Sequence, residues 1–343
     1  MDSDFLRGLP KVELHNHLDG GLRVATVIEL ADAAGYGGLP TTDPDALAAW
    51  FYQGDSGSLE HYLAAFTHTL AVMRTAEAIE RIAFEAAVDL AAERVIYGEI
   101  RFAPGLLVLN GLQREDIIEA ALAGFARAGA DTGTTVNLIV DAMRNLPDSM
   151  AEAHAAARFV DQGVVGFDLA GPEAGFPASA HADACRYAVD QGLHLTIHAG
   201  EGDGVASIAD ALNTCNPERI GHGVRIVDDV GAYGEPGPTA AALLERGIPL
   251  EVCPTSNLHT LSIPAAAHPI GRLYRAGFNV TLNTDNRLMS RVSLTDEFAL
   301  VVNHHGFTVA DLRRTTEAAA QAAFTDETTR RRLLKEIDAG YPR

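Results

Sequence analysis

The chain has 343 residues and a formal net charge of −20, from 26 basic and 46 acidic side chains. A surface of that sign repels phosphate backbones and anionic lipid, which argues against nucleic acid and membranes as partners. Apolar residues make up 47 % of the chain, enough for a sizeable core, yet no apolar run is long enough to cross a bilayer.

The start, "MDSDFLRGLP", shows neither the basic nor the apolar segment of a secretory signal. Three scattered cysteines, Cys185, Cys215 and Cys253, form no C-x-x-C pair and suggest no disulfide framework. Both features predict a cytoplasmic location.

In chain order, β-rich runs appear at 11–17, 94–102, 134–141, 163–170, 193–199, 219–223, 248–254 and 279–285. Most are followed by an Ala/Leu/Glu-rich segment of helical period. In "TAEAIERIAFEAAVDLAAE", Ile79, Ile82, Ala83, Ala86 and Leu90 share a face, with Thr75 as N-cap. Strands alternating with helices predict a parallel α/β sheet, and eight of them without a dinucleotide fingerprint predict a closed (β/α)8 TIM barrel. About 75 residues separate the first two strands, far more than an ordinary connection. We read residues 1–343 as one domain, with 40–75 as a helical cap inserted after the first strand; packing against the rim is the equal alternative for that insert. Glu99 and Arg101 share one face of the second strand, which suggests a pair inside the barrel or a reach to solvent at the rim.

The chemistry-bearing residues fall at strand ends. "KVELHNHLDG" ends the first strand with His15 and His17, "TIHAGEGDG" the fifth with His198, "RIGHG" the sixth with His222, and "TLNTD" the eighth with Asp285. In a barrel of this type these ends form one rim, where active sites are built. Residues two apart on a strand point the same way, so His15 and His17 aim at a common point. Each motif alone has an ordinary reading: a turn, an exposed histidine or a helix cap. Gly200, Gly202 and Gly204 do not form a dinucleotide fingerprint. His61, His68, His154, His181, His304 and His305 fall in helical stretches as surface or packing residues; His194 begins a strand, and His259 and His268 lie in loops. Imidazole and carboxylate donors suit Zn2+ or a similar divalent ion, which activates water. Glu201, three residues after His198, is the carboxylate best placed as an acid. The fourth strand has no lysine to bridge two metals, which favours one ion per chain; Asp168 there reads only as a buried polar group or a support to a ligand. The P-C-x-x-C of one class of zinc base deaminases does not occur.

With "EIRFAP", "VVGFDLAGPE", "TIHAGE", "RIGHGVRI", "LEVCPTSN" and "TLNTDN" following in order, the chain resembles the adenosine deaminases of the amidohydrolase superfamily. The "NTDNRLMS" form resembles their actinobacterial-type branch. The resemblance implies one Zn2+ per chain and hydrolysis of adenosine, and of 2′-deoxyadenosine, to inosine in purine salvage. It implies that His15, His17, His198 and Asp285 bind zinc, with His17 also beside the substrate. Asp285 and His222 would hold the attacking water, and Glu201 would protonate purine N1. The Gly171 N–H would meet N3, Asp19 a ribose hydroxyl and Asn286 the purine N7. Asn286 replaces an aspartate of the animal enzymes; an amide donates to N7 without first needing a proton.

The partner is then a small purine nucleoside; a homodimer is left open. Relatives acting on free adenine carry glutamate at the position of Asp19, and a carboxylate there would repel the phosphate of AMP. Deamination of a 5′-modified nucleoside such as aminodeoxyfutalosine is the alternative. A non-catalytic nucleoside-binding relative would be expected to lose Glu201, His222 or Asp285, which are all present.

Overall fold

Eight parallel strands lie side by side in chain order in the computed structural model, which describes residues 1–343 other than Tyr233 and Arg343. They are β1 Lys11–His17, β2 Val95–Phe102, β3 Thr135–Met143, β4 Val164–Ala170, β5 His194–Ala199, β6 Arg219–His222, β7 Leu250–Val252 and β8 Val280–Leu282. Every neighbouring pair is parallel. The ring closes through a bridge between Asn16 and Asp285, with His17 N–H donating to the Asp285 carbonyl (2.7 Å) and Asp285 N–H to the His15 carbonyl (3.0 Å). The expected (β/α)8 barrel is the observed one. All of β1 and β2 is buried, because helices cover the outer face while side chains fill the interior.

The last strands end earlier than their β-rich runs. His222 and Asp285 have positive φ (58° and 62°), a conformation that breaks the pleat, and Pro254 starts a helix straight after β7. The residues expected to finish β6 and β8 are thus the ones turned into the rim. The helix Ala76–Ala92 forms as its pattern predicts: Thr75 caps it, accepting from Ala78 N–H, and Ile79, Ile82, Ala83 and Leu90 are buried.

The barrel interior is ionic rather than wholly apolar. Glu99 pairs with Arg219, whose Nε lies 2.6 Å from Glu251. Arg101 then joins Glu251 (2.9 Å) to Asp168 (2.7 Å). These side chains are essentially inaccessible to water. Glu99 and Arg101 therefore neither pair with each other nor reach solvent: two residues apart on β2, they lie in successive layers, and each reaches across the barrel.

The long β1–β2 connection holds four helices before Ala76–Ala92: Val24–Ala33, Pro44–Phe51, Leu59–Leu63 and Phe66–Val72. It is tied to the loops after β7 and β8. Gln53 N–H donates to Met289, Gly57 N–H to His259, and the Tyr62 hydroxyl meets Ser290 Oγ at 2.7 Å. Trp50 lies outside the rim, partly exposed and edge-on to His68.

Candidate active site

His15, His17, His198 and Asp285 converge at the C-terminal ends of β1, β5 and β8, their donor atoms all within 4.8 Å of one another. Nε2 of His17 lies 3.2 Å from Nε2 of His198, and Asp285 Oδ1 lies 3.4 Å from His15 Nε2 and 3.3 Å from His17 Nε2. Four ligands about 2.05 Å from a central ion form a tetrahedron with edges of about 3.3 Å. Beyond that Asp285 contact, His15 Nε2 is buried without a hydrogen-bond partner among the described residues, as a lone pair kept for a metal would be. The cluster fits a divalent ion.

Each of the three histidines has a carboxylate behind it. His15 Nδ1 donates to Glu251 Oε2 at 2.9 Å. Asp168 Oδ2 lies 2.9 Å from His198 Nδ1, and Asp141 Oδ2 lies 3.3 Å from His17 Nδ1. A carboxylate at Nδ1 holds the hydrogen there and leaves Nε2 as the ligand atom. Asp168, read from the sequence as a buried polar group or a support to a ligand, lies behind His198. Burial alone would raise the Asp285 carboxyl, but the His15 contact and the neighbouring histidines hold it well below the usual carboxylate range. Ser256 Oγ donates to its second oxygen at 2.6 Å.

Glu201 and His222 complete the rim. His222 Nε2 lies 3.4 Å from Glu201 Oε2, and Thr260 Oγ1 donates to the other Glu201 oxygen at 3.2 Å. Burial, reinforced by the charges of Asp285 and Glu173, pushes the Glu201 carboxyl well above its ordinary range, toward the protonated form. The loop carrying it is held by Glu173, whose carboxylate accepts from the backbone N–H groups of Gly200, Glu201 (3.0 Å) and Asp203 (3.1 Å). Those groups are thereby committed, so this glycine-rich turn is no phosphate cradle.

His17, His198, Glu201, His222 and Asp285 face a cavity of about 370 Å³. Asp19, Gly171 and Asn286 line it from the rim, and Leu59, Tyr62, Leu63 and Phe66 from the inserted helices. Asp19 is buried with Oδ1 unpartnered, and burial pushes its carboxyl up to about 6. Gly171 has φ +90°, and a Cβ there would meet Met143 Cε at 2.7 Å. Asn286 Oδ1 packs on Gly20, where a Cβ would come within 1.9 Å of it.

All the sequence-selected site residues therefore meet in one place. Asp141, Glu173, Glu251, Ser256 and Asn257 were not singled out. Lone acids within apolar strands, in "NLIVD" and "PLEVC", were the available signal for two of them. His259 departs from its expected loop: it lies in the helix Pro254–Leu261, buried beneath the inserted segment. His268 does lie beyond the strands, but deeply buried. His181 is a packing residue, bound to Ser149 Oγ and the Arg144 carbonyl.

A family model described as adenosine deaminase matches residues 10–340. An adenosine deaminase from Mycobacterium ulcerans is 48 % identical over 345 residues, covering 97 % of this chain and 95 % of the relative. Among solved structures, an amidohydrolase from B. ambifaria with bound Zn superposes with a TM-score of 0.84 at 28 % identity, covering 98 % of this chain and 93 % of the other. The Arabidopsis protein ADAL complexed with IMP gives 0.85 at 29 % identity, covering 98 % of each. Strand order, rim chemistry and near-full-length likeness agree: this chain belongs to the adenosine deaminase family of hydrolytic enzymes.

Proposed function

We propose that the chain hydrolyses adenosine and 2′-deoxyadenosine to inosine or deoxyinosine and ammonia, serving purine salvage in the cytoplasm with one Zn2+ per chain. The observation that carries this reading is a buried carboxyl, Glu201, facing the same cavity as His17, His198 and Asp285 of the four-donor cluster. The ion, held by His15, His17, His198 and Asp285, supplies Lewis acidity and a water of lowered pKa.

The chain's own residues do the rest. Glu201 gives its proton to purine N1, which makes C6 electrophilic as water adds there. His222 and Asp285 fix the direction of that attack from either side. One proton of the added water passes to the amine and the other returns to the Glu201 carboxylate, so that the C6–N bond breaks, the C6 carbonyl forms and ammonia leaves. Gly171 N–H meets N3 and the Asn286 amide meets N7. The unpartnered Asp19 oxygen accepts from a ribose hydroxyl, a contact free adenine has no group to make. No lysine or arginine is among the described residues lining the cavity, which disfavours a nucleotide phosphate. Residues 1–343 act as one unit, in which 40–75 closes over the bound nucleoside.

The test is loss of absorbance at the adenosine band across a panel: adenosine, deoxyadenosine, adenine, AMP and 5′-modified nucleosides, each with and without a chelator. Highest kcat/KM on adenosine, abolished by the chelator, supports the reading. A preference of tenfold or more for a 5′-modified nucleoside overturns the substrate, and full activity of metal-free protein overturns the metal.

A further inference from the structure

Four histidines crowd one rim, yet their Nδ1 atoms meet two kinds of neighbour. Nδ1 of His15, His17 and His198 each faces a carboxylate. Nδ1 of His222 instead faces the side-chain amide of Asn257 at 3.1 Å. The other end of Asn257 lies 3.4 Å from Nε2 of His268, and Nδ1 of His268 accepts from the backbone N–H of Ile270 at 3.1 Å. Asn257 and His268 are both buried.

We infer that Asn257 and His268 are positioning residues that hold His222 as its neutral Nε2–H tautomer, a proton donor rather than a metal ligand. The direction of the chain follows from its last member. A backbone N–H can only donate, so His268 Nδ1 must carry a lone pair, and the hydrogen of the neutral ring sits on Nε2. That Nε2–H needs an acceptor, which turns the Asn257 carbonyl oxygen toward it. The Asn257 NH2 is thereby turned to His222, whose Nδ1 must accept. The one hydrogen of neutral His222 is then on Nε2, facing Glu201 and the donor cluster. Reversing Asn257 would place its NH2 against His268 Nε2, and His268 would need lone pairs on both nitrogens, an imidazolate. A doubly protonated His268 would set an N–H against the Ile270 N–H. Burial, with the charge of His305, pushes the His268 pKa down to about 3, which keeps that form away.

The partner of Nδ1 thus sorts the four rings. An acceptor behind the ring frees the Nε2 lone pair for an ion, and a donor behind it puts a hydrogen on Nε2. This deepens the proposed reaction and rests on it for the use made of that hydrogen, whereas the tautomer itself is a separate observable.

The experiment is long-range 1H–15N correlation spectroscopy of the zinc-loaded enzyme with 15N-labelled histidine, the His222 ring assigned from the spectrum of His222→Gln. The expected wild-type ring is neutral with its hydrogen on Nε2. Asn257→Asp replaces the amide donor by an acceptor, so the hydrogen should move to Nδ1 and kcat fall tenfold or more. KM should stay within threefold and zinc at one per chain. His268→Gln, which keeps an N–H donor, should hold the wild-type tautomer and kcat, whereas His268→Phe should lose both. A wild-type ring with its hydrogen on Nδ1 overturns the inference. So does Nε2–H retained in both Asn257→Asp and His268→Phe with kcat within twofold of wild type. Should Asn257→Asp not fold, the wild-type spectrum and the His268 pair decide. Should adenosine not be the substrate, the tautomer still reads out.

Discussion

The Asp168 carboxylate lies 2.9 Å from His198 Nδ1, and the same oxygen takes a 2.7 Å contact from Arg101. The β4 acid thus links a rim histidine to the buried ionic ladder of the barrel. Asp168→Asn keeps the size but loses the charge that fixes the ring. The expected outcome is metal affinity weaker by about 10- to 100-fold, read by competition with a chromophoric chelator. Unchanged affinity would show that Asp168 serves only Arg101.

Glu201→Gln keeps the shape and removes the transferable proton. A general acid of this kind contributes roughly 100- to 10,000-fold, so kcat on adenosine should fall by that order while zinc content stays at one per chain. Activity near wild type would sink the assignment of Glu201 as the acid.

Removing the metal should cost stability as well as turnover. An ion present at about 1,000 times its Kd stabilises the folded state by about 4 kcal/mol. Chelator-treated protein should therefore melt at a lower temperature in differential scanning calorimetry, and stoichiometric Zn2+ should restore both melting and activity. A melting temperature indifferent to zinc would mean that the four donors do not hold it.

Gly20→Ala places a methyl group where Asn286 Oδ1 now sits. The amide must move away from the cavity wall, and its contact to purine N7 should weaken. The expected rise in KM is about three- to tenfold, the worth of one hydrogen bond, with zinc content unchanged. 7-Deazaadenosine, which lacks the N7 acceptor, should show no such rise; an equal effect on both substrates would remove Asn286 from N7.

His268 predicts an acid limit to stability. Its folded pKa is depressed to about 3 by burial and the His305 charge, against 6.5 for an ordinary histidine. Between these values the unfolded chain binds a proton that the folded chain refuses. Its contribution is therefore fully present above pH 6.5 and is lost as pH falls toward 3. Urea unfolding from pH 7 to pH 4.5 should show a loss of up to about 2–3 kcal/mol from this group. His268→Gln should flatten that part of the slope, and an unchanged slope would show that the ring is protonated freely in the fold.

The barrel and its rim were legible in the sequence for simple reasons. A sheet buried on both faces leaves apolar runs, and the histidines at their ends stand out because imidazole is uncommon there. What supports those histidines was not legible. Glu251 and Asp141 read as stray acids in strands, since their partners lie across the barrel rather than along the chain. The suggested Glu99–Arg101 pair failed for the same reason: a shared strand face says which way two side chains point, but not which layer each one joins. Asn257 carries no signal at all, because an amide in "CPTSN" becomes meaningful only once His222 and His268 stand on either side of it.

The four candidate donors come from β1, β5 and the turn after β8, whereas Leu59, Tyr62, Leu63 and Phe66 of the cavity lining come from one uninterrupted stretch between β1 and β2. That apolar part of the lining is therefore encoded apart from the donors, whereas Asp19 and Asn286 sit beside them in the chain. A single recombination event spanning that stretch exchanges the apolar lining without disturbing one donor.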